Sequence, residues 1–302
     1  MTRTPELFVP AITPFADDLS VDHARFVSHA QALLDAGAHG LAPFGTTSEA
    51  NSLTVAERLA ALDALLEAGI APDRLIPGTG CAALGDTLAL TRHATDAGCR
   101  GVLMLPPFYY KGVPEAGVAD AFSQAIEGTG SDALRVYLYH IPAMSGVPIT
   151  LSLIETLTAR FPGTIVGLKD SSGNWDNTKA TIDAFPDLDI YSSSESLIPK
   201  NVAAGGAGCI SASANVNPAG IRRLIDALGT TDEAACLEQV SSVRSIFESL
   251  PLIPAIKAAV ARQTGDAGFA RVRPPFVAAG AAEDAKIADA VRLAAQAMEP
   301  AE

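Results

Sequence analysis

The chain has 302 residues, 48% of them apolar, which is enough core-forming side chain for one α/β barrel or two smaller domains. A formal net charge of −13 excludes a nucleic-acid binder, which needs a basic stripe to neutralise phosphates, but not a small anionic ligand held by a few local N–H donors. No apolar run reaches the roughly 18 residues of a membrane span, and residues 1–7 lack the basic and hydrophobic regions of a signal peptide, so a soluble, cytoplasmic protein without a membrane partner is expected.

From the N-terminus, residues 7–12 read as a first strand, followed by a helix over 21–36 that Gly37 ends. A second strand over 40–43 leads through a loop to Thr54-Val55-Ala56-Glu57, a capping box that opens a helix running to about residue 68. Residues 75–77 form a short strand before a helix over 86–97. The next strand, 101–105, is stopped by Pro106-Pro107. Helices over 114–126, 151–161, 174–185 and 197–204 then alternate with strands over 134–139, 164–170, 189–191 and 208–211. Eight strands alternating with helices predict a parallel (β/α)8 TIM barrel over 1–217. The remainder, 218–302, is helical, with helices expected over 219–228, 233–250, 254–263 and 282–298, and reads as an extension packed on the barrel in one structural unit.

The competing fold is a doubly wound sheet, for which Gly78-Thr79-Gly80-Cys81-Ala82-Ala83 supplies a G-x-G-x-x-A pattern after a strand. A dinucleotide site wants an acid at the end of the next strand, where this chain has Pro106-Pro107. Cys81, Cys99, Cys209 and Cys236 are scattered without C-x-x-C spacing, so reduced thiols are expected and neither zinc nor disulfides are indicated.

In a parallel barrel the strand C-termini form the walls of the active site. The 164–170 strand delivers Lys169 there. Burial of that amine disfavours the ammonium and frees a nucleophile for Schiff-base chemistry, and the alternative is an ion pair with Asp170 at the rim. Lys257 is the other lysine in a mainly apolar context, one that reads as helix. The second strand ends in Phe44-Gly45-Thr46-Thr47-Ser48-Glu49, which reads either as an ordinary turn or as a small nest for a carboxylate. Tyr139, at the end of the fifth predicted strand, is expected opposite the lysine across the mouth, as a proton shuttle or as a rim tyrosine. His140 next to it points the other way and reads as structural. After the fourth predicted strand, Phe108-Tyr109-Tyr110-Lys111 lines the mouth or packs on a neighbouring subunit. Gly205-Gly206 reads as a tight turn, and Ile210-Ser211-Ala212-Ser213 leaves room for a ligand near the lysine.

Taken together, Gly45-Thr46-Thr47-Ser48-Glu49, Tyr139-x-x-Pro142, Gly167-Leu168-Lys169-Asp170 and Gly205-Gly206-Ala207-Gly208-Cys209-Ile210-Ser211 resemble the dihydrodipicolinate synthase and N-acetylneuraminate lyase family over nearly the whole chain. The resemblance implies a barrel with C-terminal helices, a homotetramer built as a dimer of dimers, and neither metal nor organic cofactor. It implies that pyruvate, or the 2-keto end of a longer acid, condenses with Lys169. Tyr139 would transfer protons, Thr46 and Thr47 would hold the carboxylate and join the relay, Tyr110 would reach into the partner's site, and Ile210 and Met144 would contact substrate. Two departures stand out. The synthases carry an arginine where this chain has Met144, and a thioether cannot clamp a second carboxylate. Ser48 replaces a glycine and is expected either to alter the loop's backbone or to add a hydroxyl to the pocket. The expected activity is therefore aldol cleavage, condensation or dehydration of a 2-keto-3-deoxy acid. The alternatives are condensation of pyruvate with aspartate semialdehyde and, in another class, a non-catalytic barrel that binds a keto acid.

Overall fold

In the computed structural model, which describes residues 3–296, the apolar runs become the strands β1 (Glu6–Val9), β2 (Gly40–Leu41), β3 (Val102–Met104), β4 (Val136–His140), β5 (Ile165–Asp170), β6 (Asp189–Ser192) and β7 (Gly208–Ile210). They form one parallel sheet in the order β2-β1-β7-β6-β5-β4-β3. Residues 75–78 fill the gap between β2 and β3. They make single parallel bridges, Leu75 to Leu41 and Gly78 to Leu103, rather than the full strand expected there. The reason is Pro77, which has no N–H to give; the ladder continues through Ile76 N donating to Leu41 O at 2.9 Å and Leu103 N donating to Pro77 O at 2.9 Å. The sheet is thereby closed into a TIM barrel. Gly78 and Gly80 serve that closure, because a Cβ on them would lie 2.2 Å from Phe44 O and 2.3 Å from Leu105 N respectively.

The crossover helices are α1 (His23–Asp35), α2 (Val55–Glu67), α3 (Leu84–Asp96), α4 (Glu115–Thr129), the single turn α5 (Pro142–Ser145), α6 (Leu151–Arg160), α7 (Trp175–Ala184) and α8 (Ile198–Ala203). Their starts follow local chemistry. Asp22, Thr150 and Asn174 cap α1, α6 and α7, and the Thr54/Glu57 capping box opens α2 with both reciprocal bonds made. Each such cap is worth about 1 kcal/mol. The chain then runs through α9 (Pro218–Asp226), α10 (Glu233–Glu248), α11 (Leu252–Thr264) and α12 (Ala281–Gln296). The last residues of the helix expected over 282–298 lie outside the described residues. No helix among the described residues is long and apolar enough to cross a membrane.

Alternation along each strand sorts the side chains into two cores. Outward residues such as Leu7, Val9, Val136, Leu138 and Leu168 pack under the helices. Inward residues such as Phe8, Ile76, Tyr137, Tyr139, Tyr191 and Ile210 fill the barrel. The N-terminal end of the barrel is plugged by Arg100, which donates two bonds to the Glu6 carboxylate at 2.8 and 2.7 Å, with the Tyr191 hydroxyl donating to the same group at 2.7 Å. Helices α10 to α12 have a core of their own, built from residues such as Phe247, Ile256 and Val260, that extends to Ile12 beyond β1 and Val216 beyond β7. Helix α9 instead places Ile221, Leu224 and Ile225 in the outer core of the barrel. We propose that α9, with the single turn α5 left out of the count, is the barrel's eighth helix, which would move the end of the barrel from 217 into the turn before α10.

Candidate active site

On β5 the alternation that sends Leu168 outward sends Lys169 into the barrel, where it is 4% exposed. Gly167 below it also faces inward, and a Cβ there would strike Asp189 O at 2.4 Å and the Tyr137 ring at 2.6 Å, so only glycine lets the inner tyrosine pack beneath the lysine. Asp170 points the other way. Its carboxylate accepts from Ser172 N, Asn177 Nδ2 and Thr178 Oγ1, all at 2.8 Å, and so fastens the start of α7 instead of pairing with Lys169.

Tyr139 is the register partner of Lys169 on the adjacent strand, so the phenol stands beside the amine and not opposite it across the mouth. Lys169 Nζ is 4.5 Å from the ring centroid and donates to the hydroxyl at 3.5 Å, and that hydroxyl is 3.2 Å from Thr46 Oγ1. An amine, a phenol and a hydroxyl thus form one continuous chain from β5 to the loop after β2. His140 faces outward, buried, its Nδ1 accepting from Ile149 N at 3.0 Å, and burial lowers its pKa.

The loop that carries Thr46 and the buried Thr47 is folded on itself, with Ser48 N and Ala50 N both donating to Gly45 O at 3.2 Å and left-handed φ values at Phe44 (61°) and Glu49 (56°). Ser48 does not add a hydroxyl to the pocket: fully buried, it donates to Ala11 O at 2.6 Å, and its carbonyl accepts from Thr13 Oγ1 at 2.7 Å. Glu49 turns under the loop. Its Oε1 pairs with Lys257 Nζ at 2.5 Å, both side chains having 0% exposure, and its Oε2 accepts from Arg273 N at 3.0 Å. The Lys257 ammonium also donates to Thr13 O at 2.8 Å and lies 4.1 Å from the Phe15 ring centroid. Burial outweighs Glu49 and lowers the Lys257 pKa to about 8.

A second buried carboxylate, Glu195, follows β6. Ser211 donates to it at 2.5 Å, Ser213 donates to its other oxygen, and Arg244 from α10 lies 3.8 Å away while donating to Ser211 Oγ at 3.1 Å. This network sits directly beyond Ile210, which is itself fully buried at the end of β7. Reading the sequence singled out neither Glu49–Lys257 nor Glu195–Arg244. The one available sign was a lysine inside the apolar face of α11.

A cavity of about 310 Å³ opens against this site. Thr46 lines it, together with Leu105, Phe108, Ile141, Met144 and Phe276; Lys169 is not in the lining and connects to it through Tyr139 and Thr46. Met144, in α5, is 67% exposed. Tyr109 and Tyr110 stack edge to face at 5.2 Å, each 73% exposed, and stand outside that lining. A larger groove of about 560 Å³ near Arg3, Ile182 and Gly205 lies at the opposite end of β7 and contains none of these groups.

A model of the Dihydrodipicolinate synthetase family matches residues 4–294. The chain belongs to this family. An uncharacterized DapA-like lyase of Chloroflexus aurantiacus is 41% identical over 82% of this chain and 83% of its own length. A 4-hydroxy-tetrahydrodipicolinate synthase of Methanococcoides burtonii is 29% identical over 93% of this chain and 95% of its own. Among solved structures, dihydrodipicolinate synthase from Agrobacterium tumefaciens superposes with a TM-score of 0.87 at 32% identity, covering 95% of this chain and 98% of that one. A Ruminococcus gnavus sialic acid aldolase, at 18% identity and a TM-score of 0.88 over 98% of this chain and 97% of its own, shares the fold. The Dihydrodipicolinate synthetase family consists of lyases of the class I aldolase type, and this chain is a lyase of that family.

Proposed function

We propose that the protein is a Schiff-base lyase that makes and breaks a carbon–carbon bond next to pyruvate. What carries this reading is the chain Lys169–Tyr139–Thr46, with the amine enclosed and a phenol within reach of it and of a second hydroxyl. The Lys169 amine attacks the C2 carbonyl of a 2-keto acid, the carbinolamine loses water, and the resulting protonated imine draws electrons from C3. Cleavage of C3–C4 in a 4-hydroxy-2-keto acid releases an aldehyde and leaves an enamine; addition of the enamine to an aldehyde is the reverse step. Tyr139 takes and returns the protons of the carbinolamine and of the C4 oxygen, and Thr46 relays them toward the cavity. The hydroxyl and N–H groups of Thr46 and Thr47 hold the substrate carboxylate so that the breaking bond stays aligned with the imine.

Tyr110 enters this reading as a group that a second copy of the chain contributes, within a soluble homotetramer in the cytoplasm. Condensation of pyruvate with aspartate semialdehyde is a second reading, favoured by the names of the Methanococcoides and Agrobacterium relatives. Met144 weighs against it, since no arginine stands there to clamp a second carboxylate.

The test is borohydride reduction in the presence of pyruvate, followed by peptide mass spectrometry, with Lys169→Ala as control. A reduced pyruvyl adduct on Lys169 is expected. An unmodified Lys169 after reduction would overturn the proposal and favour a barrel that binds a keto acid without catalysis.

A further inference from the structure

The chemistry of the 310 Å³ cavity says which carbonyl partner the enamine meets. Its apolar walls are Leu105 and Phe108 from the segment after β3, Ile141 and Met144 from the end of β4 and α5, Ile253 from the start of α11, and Phe276 from the segment after Arg273. Glu49 is the one ionisable residue in the lining, and both its oxygens are already engaged, by Lys257 Nζ and by Arg273 N. Ser145 is committed to Val147, donating to its carbonyl at 2.9 Å and accepting from its N–H at 3.1 Å. Thr46 belongs to the relay with Tyr139. Of this chain's lining side chains, Asn51 and Ser52 are left to receive substrate hydroxyls, and none is a cation that could receive a second carboxylate.

Resting on the Schiff-base reading above, we propose that the partner is an aldehyde with an apolar, aromatic or branched-alkyl tail. The cleavable substrate is then the matching 4-hydroxy-2-keto acid, whose C4 hydroxyl is the one polar group beyond the keto acid head. The volume is at the small end of ligand sites, which run from about 300 to 1,000 Å³, and so suits a single ring or a short branched chain. A polyhydroxylated tail would leave its hydroxyls against Phe108, Ile141 and Phe276 without partners. A carboxylated tail would find no lysine or arginine among the lining residues to pair with. The step balances without a further reactant: the enamine carbon of pyruvate bonds to the aldehyde carbon, the aldehyde oxygen takes a proton from Tyr139, and water hydrolyses the imine to return the Lys169 amine.

The experiment gives the wild-type protein pyruvate with benzaldehyde, isovaleraldehyde, glyceraldehyde or aspartate semialdehyde and measures the rate of condensation, with borohydride trapping of pyruvate alone run on the same preparation. The apolar aldehydes are expected to lead in kcat/KM by roughly tenfold to a hundredfold, the discrimination a hydrophobic pocket achieves. If pyruvate is trapped on Lys169 but glyceraldehyde or aspartate semialdehyde does as well or better, this inference fails while the Schiff-base reading stands. If no adduct forms on Lys169, both fall. Met144→Arg, at an exposed position that tolerates the change, places a cation in the wall and should shift the ratio of aspartate semialdehyde to benzaldehyde turnover about tenfold toward the anion. An unmoved ratio would count equally against the assignment.

Discussion

Replacing Lys257 with methionine keeps most of the side-chain volume while removing the ammonium that faces Glu49 at 2.5 Å, in a pair with no exposed surface on either side. The attraction itself need not stabilise the fold, because desolvation of two charges offsets it. What the substitution does is strand a buried carboxylate, at a cost of about 3–5 kcal/mol, and leave Thr13 O without its donor, at about 1 kcal/mol more. Arg273 N still bonds Glu49 Oε2, so the expected loss is about 4 kcal/mol, a large part of the 5–15 kcal/mol by which domains are typically stable. Urea titrations at one pH and one protein concentration read this directly. Because Glu49 closes the loop carrying Thr46 and Thr47, the KM for pyruvate should rise more than kcat falls. Glu49→Gln added to Lys257→Met removes the stranded charge and should recover most of the lost stability. A loss below about 1 kcal/mol, or one that Glu49→Gln fails to relieve, would refute this account of the pair.

Two further predictions rest on single groups. Tyr139→Phe keeps the ring 4.5 Å from Lys169 but removes the hydroxyl that reaches both the amine and Thr46; turnover should fall about 10²- to 10⁴-fold, with stability changed by about 1 kcal/mol, and a variant within tenfold of wild type would remove Tyr139 from the relay. His29 is buried and donates to Asn215 Oδ1 at 3.0 Å, and burial lowers its pKa from 6.5 to about 4. Between those values the unfolded chain takes up a proton that the folded protein refuses, so stability drops as pH falls from 6.5 to 4, by about 3 kcal/mol in all. His29→Gln should flatten that part of the stability–pH curve, and an unchanged slope in the variant would assign the acid sensitivity elsewhere.

The parts of the fold and the site that local pattern could carry were readable from the sequence. Strand and helix came from period, the start of α2 from its capping box, and the direction of Lys169 from simple alternation along β5. Tyr139 stands beside Lys169 and not opposite it for a reason that topology supplies: consecutive strands of a barrel pair, so β4 and β5 put their terminal residues side by side. The turn α5 is too short to show a period, and Ser48 turned inward because Ala11 O offered a buried acceptor that no local pattern announces. Glu49 and Lys257 stand more than two hundred positions apart, as do Glu49 and Arg273, and only the closed barrel brings them together.

Those distant partners alter what the C-terminal helices are for. Read from sequence they are an appendix. In the structure α11 sends Lys257 beneath the Thr46 loop and Ile253 into the cavity wall, the segment after Arg273 adds Phe276 to the same wall, and α10 sends Arg244 to the Glu195–Ser211 network beyond β7. A barrel closed on itself needs none of these contacts to satisfy its strands. They bear instead on the loops at the strand C-termini, where geometry must be held within a fraction of an ångström for a relay of hydroxyls to work. Substitutions in α10 and α11 facing the mouth should therefore act on turnover as well as stability, whereas equivalent changes on their solvent faces should affect neither.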